Sequence, residues 1–208
     1  MNIVSASFEV LNVSHREPLK FIESVARTCY KSEGLITTGS AEKFVSKLIS
    51  SGHEAMIEHV SITVKFICDR GVSHEIVRHR LASFAQESTR YCNYSLEKFG
   101  NEITVIEPLF YTHEGLFRIF WEEQCLMAEE QYFKLLGHGS TPQEARSVLP
   151  NSLKTELIMT ANLREWRHFL KLRTTKAAHP QMRELTIPLL EELKELIPIV
   201  FDDIEEEE

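Results

Sequence analysis

Residues 78–90 read RHRLASFAQESTR, and this stretch concentrates unusual chemistry in an otherwise ordinary chain. It holds three arginines, one histidine and two serines against a single acid, Glu87, although the whole chain carries a formal net charge of −8. Guanidinium groups bind phosphate and carboxylate through paired hydrogen bonds, and neighbouring hydroxyls add further donors. The pattern is typical of a site for a phosphorylated or carboxylated ligand. A solvated basic surface explains the spacing equally well at this point.

A second basic segment, NLREWRHFLKLRTTKAAHPQMR, covers Asn162–Arg183. Helical spacing places Arg164, Arg167 or His168, and Lys171 on one face. The apolar residues share the opposite, buried face, namely Leu163, Trp166, Phe169 and Leu170. From the residues alone, the favoured interpretation is an amphipathic helix with a cationic outer face, ahead of a ligand site.

Length and charge indicate one globular domain. The 208 residues are enough to bury a core, and 43% of them are hydrophobic. Six of the acidic residues lie in the last seven positions, so we expect a single domain over 1–201 and a solvated acidic tail over 202–208. The acidic balance argues against a general nucleic-acid-binding protein, which attracts phosphate with a basic surface.

Targeting and redox signals favour a cytoplasmic protein. The sequence contains no run of about 18 apolar residues, so no membrane span is predicted. The first residues lack a charged segment followed by an apolar run, so no signal peptide is predicted. The four cysteines are widely spaced, which is typical of a reducing compartment and not of a disulfide or zinc framework.

Hydrophobic periodicity predicts interleaved strands and helices around one sheet, hence an α/β or α+β class of undetermined strand order. Strands are predicted over 2–13, 58–66, 103–106 and, less distinctly from helix, 153–161. Helices are predicted over 18–30, 40–51, 72–80, 116–136, a short stretch from Thr141, 163–172 and 180–201. Ser73 is the expected N-cap of the third helix, and Thr141 with Glu144 is expected to form a capping box. Pro188 is expected to kink or interrupt the last helix.

Metal and nucleotide motifs are absent from the sequence. The histidine pairs 53/59 and 74/79 resemble H-E-x-x-H, but separations of six and five residues place the rings on different helix faces. We therefore predict no metal site. No glycine-rich dinucleotide turn occurs, so side chains must hold any dinucleotide that binds.

The spacing R-H-R-x2-S-x4-S-x-R resembles the signature of flavin-dependent thymidylate synthases. The chain matches it at every specified position: Arg78, His79, Arg80, Ser83, Ser88 and Arg90. Further stretches resemble other segments of that family: Ser51–His59, Glu144–Pro150, Asn162–Arg173, His179 and Gln181. The resemblance extends from about residue 20 to residue 190.

This resemblance implies a central mixed or antiparallel sheet flanked by helices, and not a Rossmann fold. It implies an enzyme that converts dUMP to dTMP, with 5,10-methylenetetrahydrofolate as carbon donor, FAD as cofactor and NADPH as reductant. Tetrahydrofolate is the expected folate product. The resemblance also implies a homotetramer whose active sites are shared between subunits, which explains how a short chain accommodates three ligands.

The resemblance assigns roles residue by residue. The expected FAD contacts are Ala55, Arg78, His79, Arg80, Gln86, Asn162, Arg164 and His168. The expected dUMP contacts are Glu75, Gln86, Ser88, Thr89, Arg90, Arg146 and Arg173. The expected catalytic residues are Arg173, which would favour the N3-deprotonated uracil, and His53 near the flavin. Ala55 replaces a frequent threonine and Glu75 a frequent glutamine, so Ala55 can offer only backbone or van der Waals contact and Glu75 only a hydrogen-bond acceptor.

Two other functions are compatible with the residues. One is a flavoprotein or nucleotide-binding module that kept the pocket and lost the reaction. The other is a nucleic-acid-binding protein that uses both basic segments. Ser88 is interpreted as a dUMP ligand and not as a nucleophile, because the sequence places no base beside it.

Overall fold

The computed structural model describes residues 1–111 and 115–205. Its strands are β1 (Asn2–Val4), β2 (Ser7–Val13), β3 (Ser61–Asp69), β4 (Ala82–Gln86), β5 (Thr104–Ile106) and β6 (Lys154–Asn162). Its α-helices are α1 (Pro18–Thr28), α2 (Ser40–Ser50), α3 (Arg70–Ile76), α4 (Leu116–Gly137), α5 (Pro142–Ala145), α6 (Leu163–Arg173) and α7 (Pro180–Leu196). Short 3₁₀ turns cover Glu33–Leu35, Glu54–His59, Glu97–Phe99 and Arg146–Val148. None of the described helices is long and apolar enough to cross a membrane.

The main sheet has four strands in the order β2-β3-β6-β4. It is antiparallel and flanked by helices, which confirms the predicted fold class. A Rossmann domain would instead have a mostly parallel sheet. The short strands β1 and β5 form a separate parallel pair in which Ile3 lies opposite Val105.

The chain forms two compact units. Unit 1 comprises Met1–Ser7, Phe66–Arg78 and the described part of Ala85–Leu157. Unit 2 comprises Phe8–Lys65, His79–Phe84 and the described residues from Ile158 onward.

Unit 1 has an aromatic core around α4. Its fully or almost fully buried residues are Tyr94, Ile103, Val105, Cys125, Tyr132, Ala145 and Leu153. Trp121 packs against this cluster and its indole Nε1 donates to Ser152 Oγ at 2.8 Å, which satisfies the one polar group that the ring buries. By contrast, the first two turns of α4 expose Leu116, Phe117 and Phe120.

Unit 2 is built around the apolar face of α6. The four residues predicted for that face, Leu163, Trp166, Phe169 and Leu170, are all completely buried. Trp166 Nε1 donates to the carbonyl oxygen of Ile62 at 3.0 Å and so ties the helix to β3. Strand β3 packs in the same way, since its apolar residues Ile62 and Val64 are fully buried.

The helix starts confirm one capping prediction and correct another. Thr141 and Glu144 form the predicted capping box at α5. The third helix begins at Arg70, because Asp69 is its N-cap and accepts a hydrogen bond from the Val72 amide at 2.6 Å. The prediction of Ser73 as N-cap was therefore wrong; Ser73 is buried inside the helix.

Several further element predictions need correction. Helix α7 ends at Leu196, five residues before the predicted end, and it continues through Pro188 without interruption. Strand β4 was not predicted at all, because its short sequence ASFAQ lies inside the basic segment and shows little hydrophobic alternation. Residues 2–13, predicted as one strand, form β1 and β2 of separate sheets, and the third helix ends at Ile76 and not at residue 80. The remaining predicted strands and helices are present with small shifts at their ends.

Candidate active site

A cavity of about 1010 Å³ in unit 2 collects four of the predicted flavin residues. Arg80 reaches it from the segment before β4, Asn162 ends β6, and Arg164 and His168 lie on α6. Helix α6 can start directly at the sheet because Asn162 caps it, with its Oδ1 accepting from the Glu165 amide at 2.9 Å. The strand end and the first turns of the helix therefore present their polar residues to one space.

The cations that line this cavity differ in whether a neighbouring carboxylate neutralises their charge. Arg164 donates to Glu58 at 2.6 Å, and this carboxylate raises the pKa of the guanidinium. Arg80 is exposed and makes no hydrogen bond or ion pair with any other residue in the described parts of the chain. Arg80 is thus a hydrated cation at the wall of a cavity, an arrangement suited to an anionic ligand.

A second cavity of unit 2, about 980 Å³ in volume, contains two further residues predicted for the flavin environment. His53 and Ala55 line it together with apolar side chains such as Phe44 and Met56. Arg164 lines both cavities. Ala55 sits in the 3₁₀ turn Glu54–His59, which explains why His53 and His59 do not share a helix face.

His79 forms a buried hydrogen-bonded chain with Arg173 and Glu165. Arg173 Nε donates to His79 Nε2 at 3.2 Å, and His79 Nδ1 lies 3.3 Å from Glu165 Oε1. Burial, together with the charges of Arg173 and His168, lowers the pKa of His79 to about 4. The imidazole is therefore neutral at physiological pH. Burial also raises the pKa of Glu165.

His79 also belongs to a group of three side chains whose spacing alone would allow them to hold a metal ion. The ligand atoms of His79, Glu165 and His168 lie within 4.8 Å of one another. A guanidinium N–H can only donate, so the contact from Arg173 occupies the lone pair at Nε2 and leaves the proton on Nδ1. Both ring nitrogens of His79 are then engaged, and the nearby Arg173 charge opposes a second cation. The geometry favours a hydrogen-bonded cluster over a metal site.

Of the two alternatives predicted for the cationic face of α6, Arg167 and His168, the structure exposes His168 and buries Arg167. Arg167 is 2% exposed and donates to Glu54 Oε1 at 2.9 Å and to Asp203 Oδ2 at 2.8 Å. The hydrogen bond from Arg167 lowers the pKa of the Asp203 carboxyl. Asp203 and the buried Ile204 both lie within the segment predicted to be a solvated tail.

Unit 1 contains most of the predicted dUMP residues, and three of them, Ser88, Thr89 and Arg90, lie in a turn that follows β4. The amides of Tyr91 and Cys92 donate to the Ser88 carbonyl, which closes the turn. Arg146 NH1 donates to Thr89 Oγ1 at 3.1 Å, so the guanidinium lies beside a hydroxyl group of this segment. Ser88 Oγ accepts from the Arg90 amide at 3.3 Å and, within the described residues, contacts no basic side chain that could deprotonate it. The turn has the donors of an anion site and lacks the base of a nucleophile.

Gln86 connects this turn to residues that the sequence did not single out. Its Nε2 donates to Ser73 Oγ at 2.9 Å and to Thr155 Oγ1 at 3.3 Å. Arg70 NH1 approaches the carbonyl oxygen of Glu87 and Thr155 Oγ1 at 3.4 Å each. Arg70 is therefore an additional cation beside the predicted dUMP residues.

The remaining predicted residues are divided between the units. Arg78 and Gln86 belong to unit 1, whereas the other six predicted flavin residues belong to unit 2. Glu75 is half-buried on α3 of unit 1, while Arg173 ends α6 in unit 2. The sequence also missed Glu165 and Glu54, because a single sequence does not reveal which acids approach which bases.

Comparison with known proteins decides the family. The family model described as "Thymidylate synthase complementing protein" matches residues 10–199. The flavin-dependent thymidylate synthase of Corynebacterium aurimucosum is 34% identical over 200 residues, covering 88% of this chain and 78% of that protein. The enzyme of Geobacter sulfurreducens is 31% identical over 194 residues, covering 90% and 82%. The chain belongs to the flavin-dependent thymidylate synthase family.

Solved structures of similar fold agree with this placement. A UMP/dUMP methylase from Streptomyces cacaoi, bound with 5-Br dUMP, has a TM-score of 0.79 at 24% identity and covers 97% of this chain and 96% of its own. Thymidylate synthase X from Helicobacter pylori, solved with FAD and dUMP, has a TM-score of 0.78 at 21% identity and covers 96% and 98%. The resemblance expected from residues 78–90 is thus confirmed for the family and the fold.

Proposed function

We propose that this flavin-dependent thymidylate synthase converts dUMP to dTMP by FAD-dependent reductive methylation. Its co-substrates would be 5,10-methylenetetrahydrofolate as carbon donor and NADPH as reductant, with release of tetrahydrofolate. The observation that carries the proposal is the gathering of Arg80, Asn162, Arg164 and His168 around one cavity of unit 2. These residues come from distant parts of the sequence, and all were expected to bind the flavin.

The cavity fits a phosphate-bearing cofactor. Its volume of about 1010 Å³ is at the upper end of the usual range for small-molecule sites. Arg80 and Arg164 offer cationic donors for a pyrophosphate, which takes the place of the glycine-rich turn that the sequence lacks. When bound, reduced FAD supplies the hydride that converts a transferred methylene group into a methyl group. Arg78 and Gln86 of unit 1 would complete the contacts in the assembled enzyme.

The turn after β4 fits the phosphate end of dUMP. Arg90 and Arg146 supply the charge, and the hydroxyl groups of Ser88 and Thr89 supply further donors. The contact between Arg146 and Thr89 already holds the guanidinium beside the turn. Gln86 lies next to this turn, and Glu75 would accept hydrogen bonds from ribose hydroxyls.

Arg173 is proposed to activate the uracil ring. A fixed guanidinium beside N3 and its neighbouring carbonyl stabilises the anionic form of the ring and so lowers the pKa of N3. This makes the ring a better carbon nucleophile without a covalent enzyme intermediate. His53 is proposed to assist proton movement or folate placement from the second cavity of unit 2. Ala55 would contribute only backbone or van der Waals contact there.

A homotetramer with shared active sites is proposed from the resemblance. Helix α4 supports an assembly, because Leu116, Phe117 and Phe120 expose between 60% and 73% of their surface. Exposed apolar groups of this size on one helix are typical of protein interfaces. Residues 1–201 are proposed to act as one catalytic domain. The four free cysteines support a reducing cytoplasm.

Purified protein tests the proposal. It should be yellow, or become yellow with added FAD, and NADPH should bleach the flavin anaerobically. Addition of dUMP and 5,10-methylenetetrahydrofolate together should then restore the flavin absorbance and form dTMP. Addition of either substrate alone should form none. A protein that cannot be loaded with FAD contradicts the proposal.

Other results would identify the alternatives. A flavin-loaded protein that binds dUMP without forming dTMP would be a flavoprotein that has lost the reaction. Strong, salt-sensitive DNA binding without dTMP formation would indicate a nucleic-acid-binding protein. Methylation of UMP in parallel reactions would place the chain with the methylase whose fold it shares.

A further inference from the structure

We propose that Glu165 is a positioning residue that acts on Arg173 through His79. The inference rests on the proposed function, since Arg173 is the group expected to activate the uracil. It adds a residue that the sequence did not single out. It also gives His79 a role in orienting Arg173, in addition to any contact with the flavin.

The hydrogen bonds determine the tautomer of His79. Because Arg173 Nε can only donate, His79 Nε2 must present its lone pair in the 3.2 Å contact. A neutral imidazole then carries its proton on Nδ1, which lies 3.3 Å from Glu165 Oε1. Glu165 is thus the acceptor that stabilises the tautomer with its proton on Nδ1. Without an acceptor, a buried Nδ1–H would lose the hydrogen bond that its burial requires.

The electrostatics of the cluster favour a neutral relay. Arg173 and His168 are the charged or titratable side chains that lower the pKa of His79, along with burial. A neutral His79 makes a hydrogen bond with Glu165 and not an ion pair, so the acceptor oxygen matters more than the negative charge. This distinction predicts that an amide oxygen can replace the carboxylate.

The packing around the imidazole leaves it little freedom. The side chains of His79 and Glu165 are each at most 7% exposed. The Phe169 ring meets His79 edge-on at a centroid distance of 4.8 Å. Glu165 itself is fixed at the start of α6, where its amide donates to the capping Asn162. A rigid acceptor and a confined ring therefore hold the Nε2 lone pair in a direction that orients the Arg173 guanidinium.

Three variants of the full-length, FAD-loaded enzyme test this role. Glu165→Ala removes the acceptor, Glu165→Gln keeps an acceptor oxygen, and Glu191→Ala makes the same truncation at an exposed position of α7. We expect Glu165→Ala to lower kcat about tenfold or more while the KM for dUMP and the FAD affinity change less than threefold. Glu165→Gln should recover most of that loss in kcat, and Glu191→Ala should match the unmodified enzyme. A purely structural role would instead lower flavin loading or thermal stability in step with kcat.

A spectroscopic readout separates this inference from the proposed function. Long-range ¹⁵N–¹H spectra of histidine-labelled enzyme should show His79 with its proton on Nδ1 at pH 7, and Glu165→Ala should shift the populations towards the other tautomer. These signals need no turnover, so they test the relay even if no dTMP is formed. A proton on Nε2 in the unmodified enzyme overturns the proposal. So does an unchanged kcat in Glu165→Ala, or a Glu165→Gln variant as impaired as Glu165→Ala with normal flavin loading.

Discussion

Two arginines on one helix, Arg167 and Arg173, show how the partners of a cation decide its role. Both belong to the basic segment and to the polar positions of α6. Arg167 is buried and donates to two carboxylates, those of Glu54 and Asp203. Arg173 donates through Nε to the neutral ring of His79. Two carboxylates hold Arg167 within the fold, whereas one contact of Arg173 is with a neutral imidazole at the end of the same helix.

The largest effect is expected for Arg173→Ala. Loss of one preorganised charged donor should lower turnover about 100-fold or more, because such groups act most strongly in the transition state. FAD should still bind, since the proposed flavin cavity is lined by other residues. Steady-state dTMP formation and flavin absorbance measure the two effects. Near-normal turnover of Arg173→Ala would contradict the different roles given to Arg167 and Arg173.

Arg167→Ala should act on stability and not on chemistry. Removing one partner of a buried ion pair should cost about 3 kcal/mol of unfolding free energy, at the lower end of the usual range because Glu54 and Asp203 retain some access to water. Urea unfolding of the variant measures the loss. Lys171→Ala is a suitable control, because Lys171 contacts Asp203 only at 3.4 Å and is about half exposed. A stable Arg167→Ala enzyme with abolished turnover would reverse the assignment.

Arg164→Ala should weaken FAD binding about tenfold, the effect of losing one charged hydrogen bond. Arg164 is compensated by Glu58, so its removal should not greatly alter the fold. Fluorescence titration of apoprotein with FAD provides the measurement. Arg16→Ala, at an exposed arginine of unit 2 that lines neither large cavity, is the matched control. Equal affinities of the two variants would exclude Arg164 from the flavin site.

Ser88→Ala should raise the KM for dUMP several-fold and preserve measurable turnover. A neutral hydrogen bond contributes about 1 kcal/mol, which corresponds to a several-fold change in affinity. Initial rates at varied dUMP concentration test this. Complete loss of turnover with unaltered dUMP affinity would restore Ser88 as a nucleophile.

The smallest expected effect concerns acid stability. Arg167 lowers the pKa of Asp203 below its ordinary value of 3.8, so the folded state binds a proton there less readily than the unfolded state. The stabilisation is present above about pH 4 and is lost as the pH falls through the lowered pKa. Asp203→Asn should therefore reduce stability at neutral pH and flatten its decline at acidic pH. Parallel urea titrations between pH 3 and pH 7 measure the difference, and identical slopes would argue against the pair.

The sequence predicted much of the fold, because apolar spacing determines which faces are buried. Strand β3 and the buried apolar face of α6 were both predicted from periodicity alone. Strand β4 was not predicted, because its five residues show too little hydrophobic alternation. The burial of Arg167 was not predicted for a different reason: its partners Glu54 and Asp203 are distant in sequence, and only the tertiary fold brings them together.

The candidate site was predictable mainly through the resemblance to a family. Spacing alone left residues 78–90 open to interpretation as a basic surface. The structure places Arg80 with Asn162, Arg164 and His168, and it places Thr89 with Arg146. Glu165 and Arg70 could not be found in the same way, since their importance lies in contacts with His79 and with the neighbourhood of Gln86.

A crystal structure of the enzyme with FAD and dUMP bound tests the central claim most directly. We predict that FAD contacts Arg80, Asn162, Arg164 and His168, that the dUMP phosphate contacts Ser88, Arg90 and Arg146, and that Arg173 contacts the uracil edge. A flavin bound away from the cavity of unit 2, or a dUMP phosphate away from the turn after β4, would contradict the account.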